Sequence, residues 1–114
     1  ASMGNTLILN IYINIYVFII INYILYMQFE WDDNKNLINI TKHGISFQDA
    51  IKAFEDTKRK ILFNGKHSLE EKRFYCLGKV DVRVLTVRFT VRGQKMRIIG
   101  AGFWREGKKN YEKE

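Results

Sequence analysis

The chain has 114 residues and carries 19 lysines and arginines against 12 aspartates and glutamates, a net charge of +7. Its single cysteine, Cys76, excludes an intrachain disulfide and a cysteine-based zinc site, and suits a reducing cytoplasm. Residues 1–26 contain no charged side chain, so the whole net charge falls on residues 27–114, a length that supports one small core and not two. Charge at that density favours phosphate backbones or acidic partners.

Residues 7–27 are almost wholly Leu, Ile, Tyr, Val and Phe, broken by Asn10, Asn14 and Asn22. About 20 apolar residues suffice to cross a bilayer as a helix. The flanks argue against a membrane span: no Lys or Arg lies close by, and the first charges afterwards are Glu30, Asp32 and Asp33. A basic leader and a small-residue cleavage motif are also missing, which argues against a secretory signal. The alternation of Ile11, Ile13 and Ile15 is as much strand-like as helix-like. Asn, Ile, Tyr, Phe and Leu can all be encoded by A and T alone. The segment therefore reads as translated AT-rich upstream DNA behind an expression scar at residues 1–4, with the domain proper at 27–114. If ordered, it is expected to bury itself on the core or on a neighbouring chain, including by self-association.

After Met27 the elements follow in order. Phe29-Glu30-Trp31 alternates as a short strand. Asp32 is a suitable N-cap for a helix through about Lys42, with Lys42 and His43 in the last turn and Gly44 as its left-handed stop. Ser46-Phe47-Gln48-Asp49 resembles a capping box, and Phe47, Ala50, Ile51 and Phe54 then form an apolar stripe at helical spacing. Strands are expected at Lys60–Phe63 before the Asn64-Gly65 turn, and at Arg73–Leu77. A third runs over Arg83–Val91, and a fourth over Lys95–Ala101 after a tight turn at Arg92-Gly93. The charged tail from Trp104 to Glu114 reads as a helix. The sum is an α+β fold: a short strand and two helices, an antiparallel meander and a C-terminal helix, with the helices on one side of the sheet.

These residues also carry a resemblance. Phe29-Glu30-Trp31-Asp32, Lys35, Asn39, Lys42-His43-Gly44 and Phe47 resemble the opening signature of the BrnT family, ribonuclease toxins of type II toxin–antitoxin operons. The similarity continues through His67-Ser68, Glu71, Arg73, Leu77-Gly78, Arg92-Gly93 and Arg97-Ile98-Ile99 to Tyr111-Glu112. It implies a RelE-like fold, metal-independent endoribonuclease activity that arrests translation in the cytoplasm, and neutralisation by a cognate antitoxin of the BrnA kind. Contact with DNA would come only through that antitoxin, and no cofactor or metal is implied. The chain departs from the family where many members have Ser-Ala-Arg after the last strand, since it has Gly100-Ala101-Gly102. Arg105 is then a candidate replacement for the missing arginine.

Metal-free RNA cleavage needs a 2′-hydroxyl to attack the adjacent phosphate, cations on the pentavalent transition state, and a proton for the leaving 5′-oxygen. Positioned charge supplies the largest share. Arginine suits it because its planar fork is bidentate and permanently charged. Arg73 and Arg97 are the leading catalytic candidates, although strand arginines also line solvated sheet faces. His67 and His43 are the two histidines, the side-chain type suited to proton transfer near neutral pH. His67 belongs to a polar loop; His43 has a competing role as a helix-terminal cation. Glu71 could orient Arg73 or act as a base. Lys42, Arg88, Arg105, Trp104 and Tyr111 are the RNA-binding candidates, with packing as the competing role for Tyr111, and Trp31 is assigned to the core. No grouping of ligands has metal-site spacing. Two other readings compete: a non-catalytic module that binds RNA or antitoxin, motivated by Gly102, and a membrane-anchored small basic protein.

Overall fold

A computed structural model describes residues 3–65 and 71–114. The apolar segment is a 25-residue helix, α1 (Met3–Met27), not a strand. Strand propensity expresses itself only where a neighbouring strand takes up the backbone groups; here the helix satisfies them within the segment. Met3–Ile20 is long and apolar enough, by length and composition, to cross a membrane. Over Met3–Ile20 the expected burial on the core does not occur: Leu7, Tyr12, Tyr16 and Phe18 are each more than 60% exposed. One face of the sheet described below is packed on its own helices and the other carries cations and a helix, and α1 lies against neither.

After α1 the chain forms β1 (Phe29–Trp31), followed by α2 (Asp33–His43) and α3 (Phe47–Ala50). Asp32 caps α2 as anticipated, accepting the Lys35 N–H, and Gly44 ends it in the left-handed region with φ 70°. Ser46 caps α3 through the Asp49 N–H, but the α-helix lasts only one turn before tightening into a 3-10 helix, Ile51–Glu55. Phe47, Ala50, Ile51 and Phe54 are all buried, so the apolar stripe is correct although the helix type changes. The tight turn lays the backbone of Ala53 directly on Gly78, where a side chain would strike the Ala53 carbonyl.

Strands β2 (Lys60–Phe63), β3 (Arg73–Val80), β4 (Arg83–Arg92) and β5 (Lys95–Gly102) form the expected antiparallel meander. β1 joins it parallel to β5, giving a mixed five-stranded sheet in the order β1-β5-β4-β3-β2. One face carries Phe29, Cys76, Leu85, Val87, Phe89, Ile98 and Ala101 and packs on α3 and the 3-10 helix. Phe54 meets Phe29 and Phe89 edge-on at 4.8 and 5.2 Å, and half-buried Trp31 closes the end against Phe47. Burial pushes the Cys76 thiol up to about 12, so it behaves as a small apolar core residue.

The last helix, α4 (Arg105–Glu112), corrects the expectation that all helices share one side. Gly107 of α4 lies on Thr86 and Leu77, which alternate with the core residues and face the opposite way. The Lys60 ammonium reaches the carbonyls of Asn110 and Lys113 at the negative end of α4. The Tyr111 hydroxyl donates to Asp56 Oδ2 at 2.6 Å, tying α4 to the end of the 3-10 helix.

That tie has a pH signature. Burial alone would raise the Asp56 carboxyl, but the Lys79 N–H, the Tyr111 hydroxyl and the Lys58 N–H together hold it below its ordinary value. Tyr111 is pushed up, mainly by its hydrogen bond to the same carboxylate. A lowered aspartate contributes stability above its unfolded pKa of about 3.9, lost as pH falls through the folded value. A raised tyrosine contributes fully below about 10, and that part is lost as pH rises through its folded value. Urea unfolding of the wild type and Tyr111→Phe should therefore differ most between about pH 5 and 9 and converge beyond both edges. A constant difference at all pH values would show that the bond is unimportant.

Candidate functional site

Strand alternation and the register across β2 to β5 place cations in rows on the face that α4 only partly covers. In one row, Glu30, Arg97, Thr90 and Arg73 are successive partners from β1 to β3. Arg73 and Arg97 are thus two strands apart, roughly 10 Å. In the next row Gly100, Arg88, Tyr75 and Leu62 are partners, and in the third Gly102, Thr86, Leu77 and Lys60. A bulge between Arg88 and Phe89 opposes them to Gly100 and Ile98, leaving Ile99 without a partner in the register.

Two hollows adjoin on this face, and Arg88 lines both. The first, about 210 Å³, is lined by Lys35, Asn64, Arg73, Arg88 and Ile99, so three cations converge on it. The second, about 330 Å³, lies between α4 and the sheet and includes Leu62, Tyr75, Leu77, Thr86, Arg88 and Trp104 in its walls. Between them stands Tyr75, whose hydroxyl accepts a hydrogen bond from Asn64 Nδ2 at 2.8 Å.

Lys35 reaches the first hollow because α2 is clamped along the free edge of β5 by Asn39. Past the end of β1, the buried Asn39 amide donates to the carbonyls of Ala101 and Ile45 and accepts the Ala101 N–H. Its side chain does there what another strand would have done. The same placement brings His43 edge-on to Trp104, with ring centres 5.2 Å apart.

The two glycines at the departure from the family pattern are filled from elsewhere. A Cβ at Gly102 would lie 2.7 Å from the Trp104 indole, and one at Gly100 would lie 2.4 Å from the Arg88 guanidinium. Arg88 also lies over the Trp104 ring at 5.5 Å. The cation beside the vacated position is thus Arg88. Arg105 lines a different hollow with Lys79, Arg83 and Lys108.

Of the residues singled out from sequence, Arg73 and Arg88 share a hollow, Arg97 lies in the Arg73 row, and Trp104 and His43 adjoin Arg88. Arg97 is half-buried and pairs with Glu30 at 3.6 Å, which offsets part of its charge. Glu71 is drawn to Arg92 at 3.3 Å and does not contact Arg73 through any described bond. Lys42 is exposed on the last turn of α2. Tyr111 is engaged with Asp56, which in turn holds the N–H of Lys79 at the far end of β3 from Arg73. His67 falls in residues 66–70, outside the described residues. Sequence reasoning missed Tyr75, Asn64 and Lys35 as parts of the site. Tyr75 was detectable, since it lies two residues from Arg73 on the same strand face. Among the described residues, no three His, Cys, Asp or Glu side chains gather where they could hold a metal ion.

A small basic α+β domain whose sheet face gathers Lys35, Arg73 and Arg88 at one hollow has the charge that suits a polyanion. A family model described as ribonuclease toxin, BrnT, of type II toxin–antitoxin system matches residues 31–107. The chain belongs to that family of ribonuclease toxins. The match leaves out α1, and a search of curated proteins found no match to the chain.

Proposed function

We propose that the protein is a RelE-like, metal-independent endoribonuclease that cuts RNA in the cytoplasm and so arrests translation. A cognate antitoxin would neutralise it by laying an acidic or apolar segment over the cationic sheet face, and would bring any DNA contact itself. One observation carries the reading: Arg73, Arg88 and Lys35 converge on a single hollow of phosphate scale. Cations so placed hold a scissile phosphate and stabilise the charge that grows on it as the 2′-oxygen bonds to phosphorus. The bond to the 5′-oxygen breaks, that oxygen leaves with a proton, and the other fragment ends in a 2′,3′-cyclic phosphate. The donor set around the hollow is cationic and amide-bearing, the chemistry for binding phosphate directly and not for presenting carboxylates to a divalent ion.

Purified protein incubated with RNA in excess EDTA is expected to cut it and leave cyclic phosphate ends. RNA that stays intact at every protein ratio would overturn the reading. The competing reading, a module that binds RNA without cutting it, is favoured by Gly102, where the family's arginine is absent and Trp104 fills the space. Binding that weakens steeply with salt, with no cleavage, would select it.

A further inference from the structure

We propose that the cavity between α4 and the sheet is a nucleobase pocket that selects which RNA base lies next to the bound phosphate. The inference rests on the ribonuclease reading and extends it from the phosphate to the base.

The argument starts from Arg88, the residue shared by the cationic hollow and the larger cavity. A phosphate on Arg73, Lys35 and Arg88 leaves its attached sugar close to Arg88, and the base then continues into the cavity. Along β3, Arg73, Tyr75 and Leu77 face the same way, and each step of two residues advances roughly 6.7 Å. Phosphate hollow and cavity are therefore separated by the span of one nucleotide.

The cavity has the right size and surface. At about 330 Å³ it stands at the small end of the range of roughly 300–1,000 Å³ typical of ligand sites, enough for one ring system and its sugar edge. Its walls are Leu62, Leu77 and the two aromatic side chains Tyr75 and Trp104, and aromatic faces are what unpaired bases stack on. Trp104 is already fixed by the contact its ring makes at Gly102, by Arg88 above it and by His43 at its edge. An aromatic wall held on three sides loses little freedom when a base arrives. Discrimination among bases needs polar groups, and Glu106 and Asn110 of α4 supply an acceptor and an amide at the wall. The Thr86 hydroxyl in the same wall is buried without a hydrogen-bond partner among the described residues, a group that a folded core ordinarily satisfies.

The test titrates the full chain by calorimetry with the four nucleoside 5′-monophosphates and with inorganic phosphate. All four nucleotides should bind more tightly than phosphate, and one base more tightly than the rest. Leu62→Trp, which fills the cavity, should bring every nucleotide down to the affinity of phosphate and leave phosphate binding unchanged. Tyr75→Leu removes a stacking wall without adding volume and should weaken nucleotides 5-fold or more. Nucleotides that bind no better than phosphate would overturn the proposal. So would variants that fold, by their melting curves, and bind nucleotides as the wild type does. The two readings fail separately: selective nucleotide binding with intact RNA removes the ribonuclease alone, and RNA cleavage with nucleotides binding like phosphate removes the pocket alone.

Discussion

Alanine in place of Arg73 or Arg88 is expected to slow RNA cleavage by about 10²–10³-fold, the usual effect of removing one preorganised donor from a developing oxyanion. Both side chains belong to the face opposite the apolar core, so the variants should still fold, which melting curves check. Arg97→Ala should have the smaller effect, because Glu30 already takes part of its charge at 3.6 Å. Arg105→Ala is the useful control, an arginine of the same domain in a different hollow. The measurement is single-turnover cleavage of a labelled RNA in EDTA. Wild-type rates for both Arg73→Ala and Arg88→Ala would move the active site away from this hollow.

The largest effect on stability is expected at Asn39. Asn39→Leu keeps the size of the side chain but strands the Ala101 N–H and the carbonyls of Ala101 and Ile45, all bonded to Asn39 in a buried setting. Each buried group left unsatisfied costs about 1–3 kcal/mol. The sum should be about 3 kcal/mol or more, which for a domain of this size lowers Tm by at least about 10 °C. Urea and thermal unfolding measure it directly. A loss under about 1 kcal/mol would mean that water replaces the amide and that the clamp is not what holds α2 to β5. A variant that still folds should also bind RNA more weakly, since α2 carries Lys35 to the phosphate hollow.

Much of the domain was legible along the chain because its signals are local. Asp32 and Ser46 announced their helices by the N–H groups they could accept, and Gly44 by the left-handed turn it could make. The alternation of Leu85, Val87 and Phe89 with Thr86, Arg88 and Thr90 assigned each residue of β4 to a face. The family pattern in residues 29–112 named the activity. Local signals also misled where the outcome depended on partners. The Ile-rich lead-in read as much strand-like as helix-like, and with no strand to pair with it became α1. The helix after Ser46 tightened to 3-10 geometry where Ala53 meets the bare backbone of Gly78.

The site was legible only in its ingredients. Arg73, Arg88 and Arg97 were each visible as arginines in strands, with nothing to show that Arg73 and Arg88 share a hollow or that Arg97 would pair with Glu30. Alternation sorts residues within one strand, but the register between strands decides which of them meet. Tyr111 illustrates the same limit, since its partner Asp56 lies far back in the sequence. Sequence by itself determined the strands and helix caps of the domain, the excess of cations, the face on which each strand residue lies and the family. The tertiary structure alone decided that β1 pairs with β5, that α4 crosses to the second face, and that Trp104 and Arg88 occupy the space above Gly102 and Gly100. Those outcomes depend on contacts between residues distant in the chain, whose energies no local pattern records.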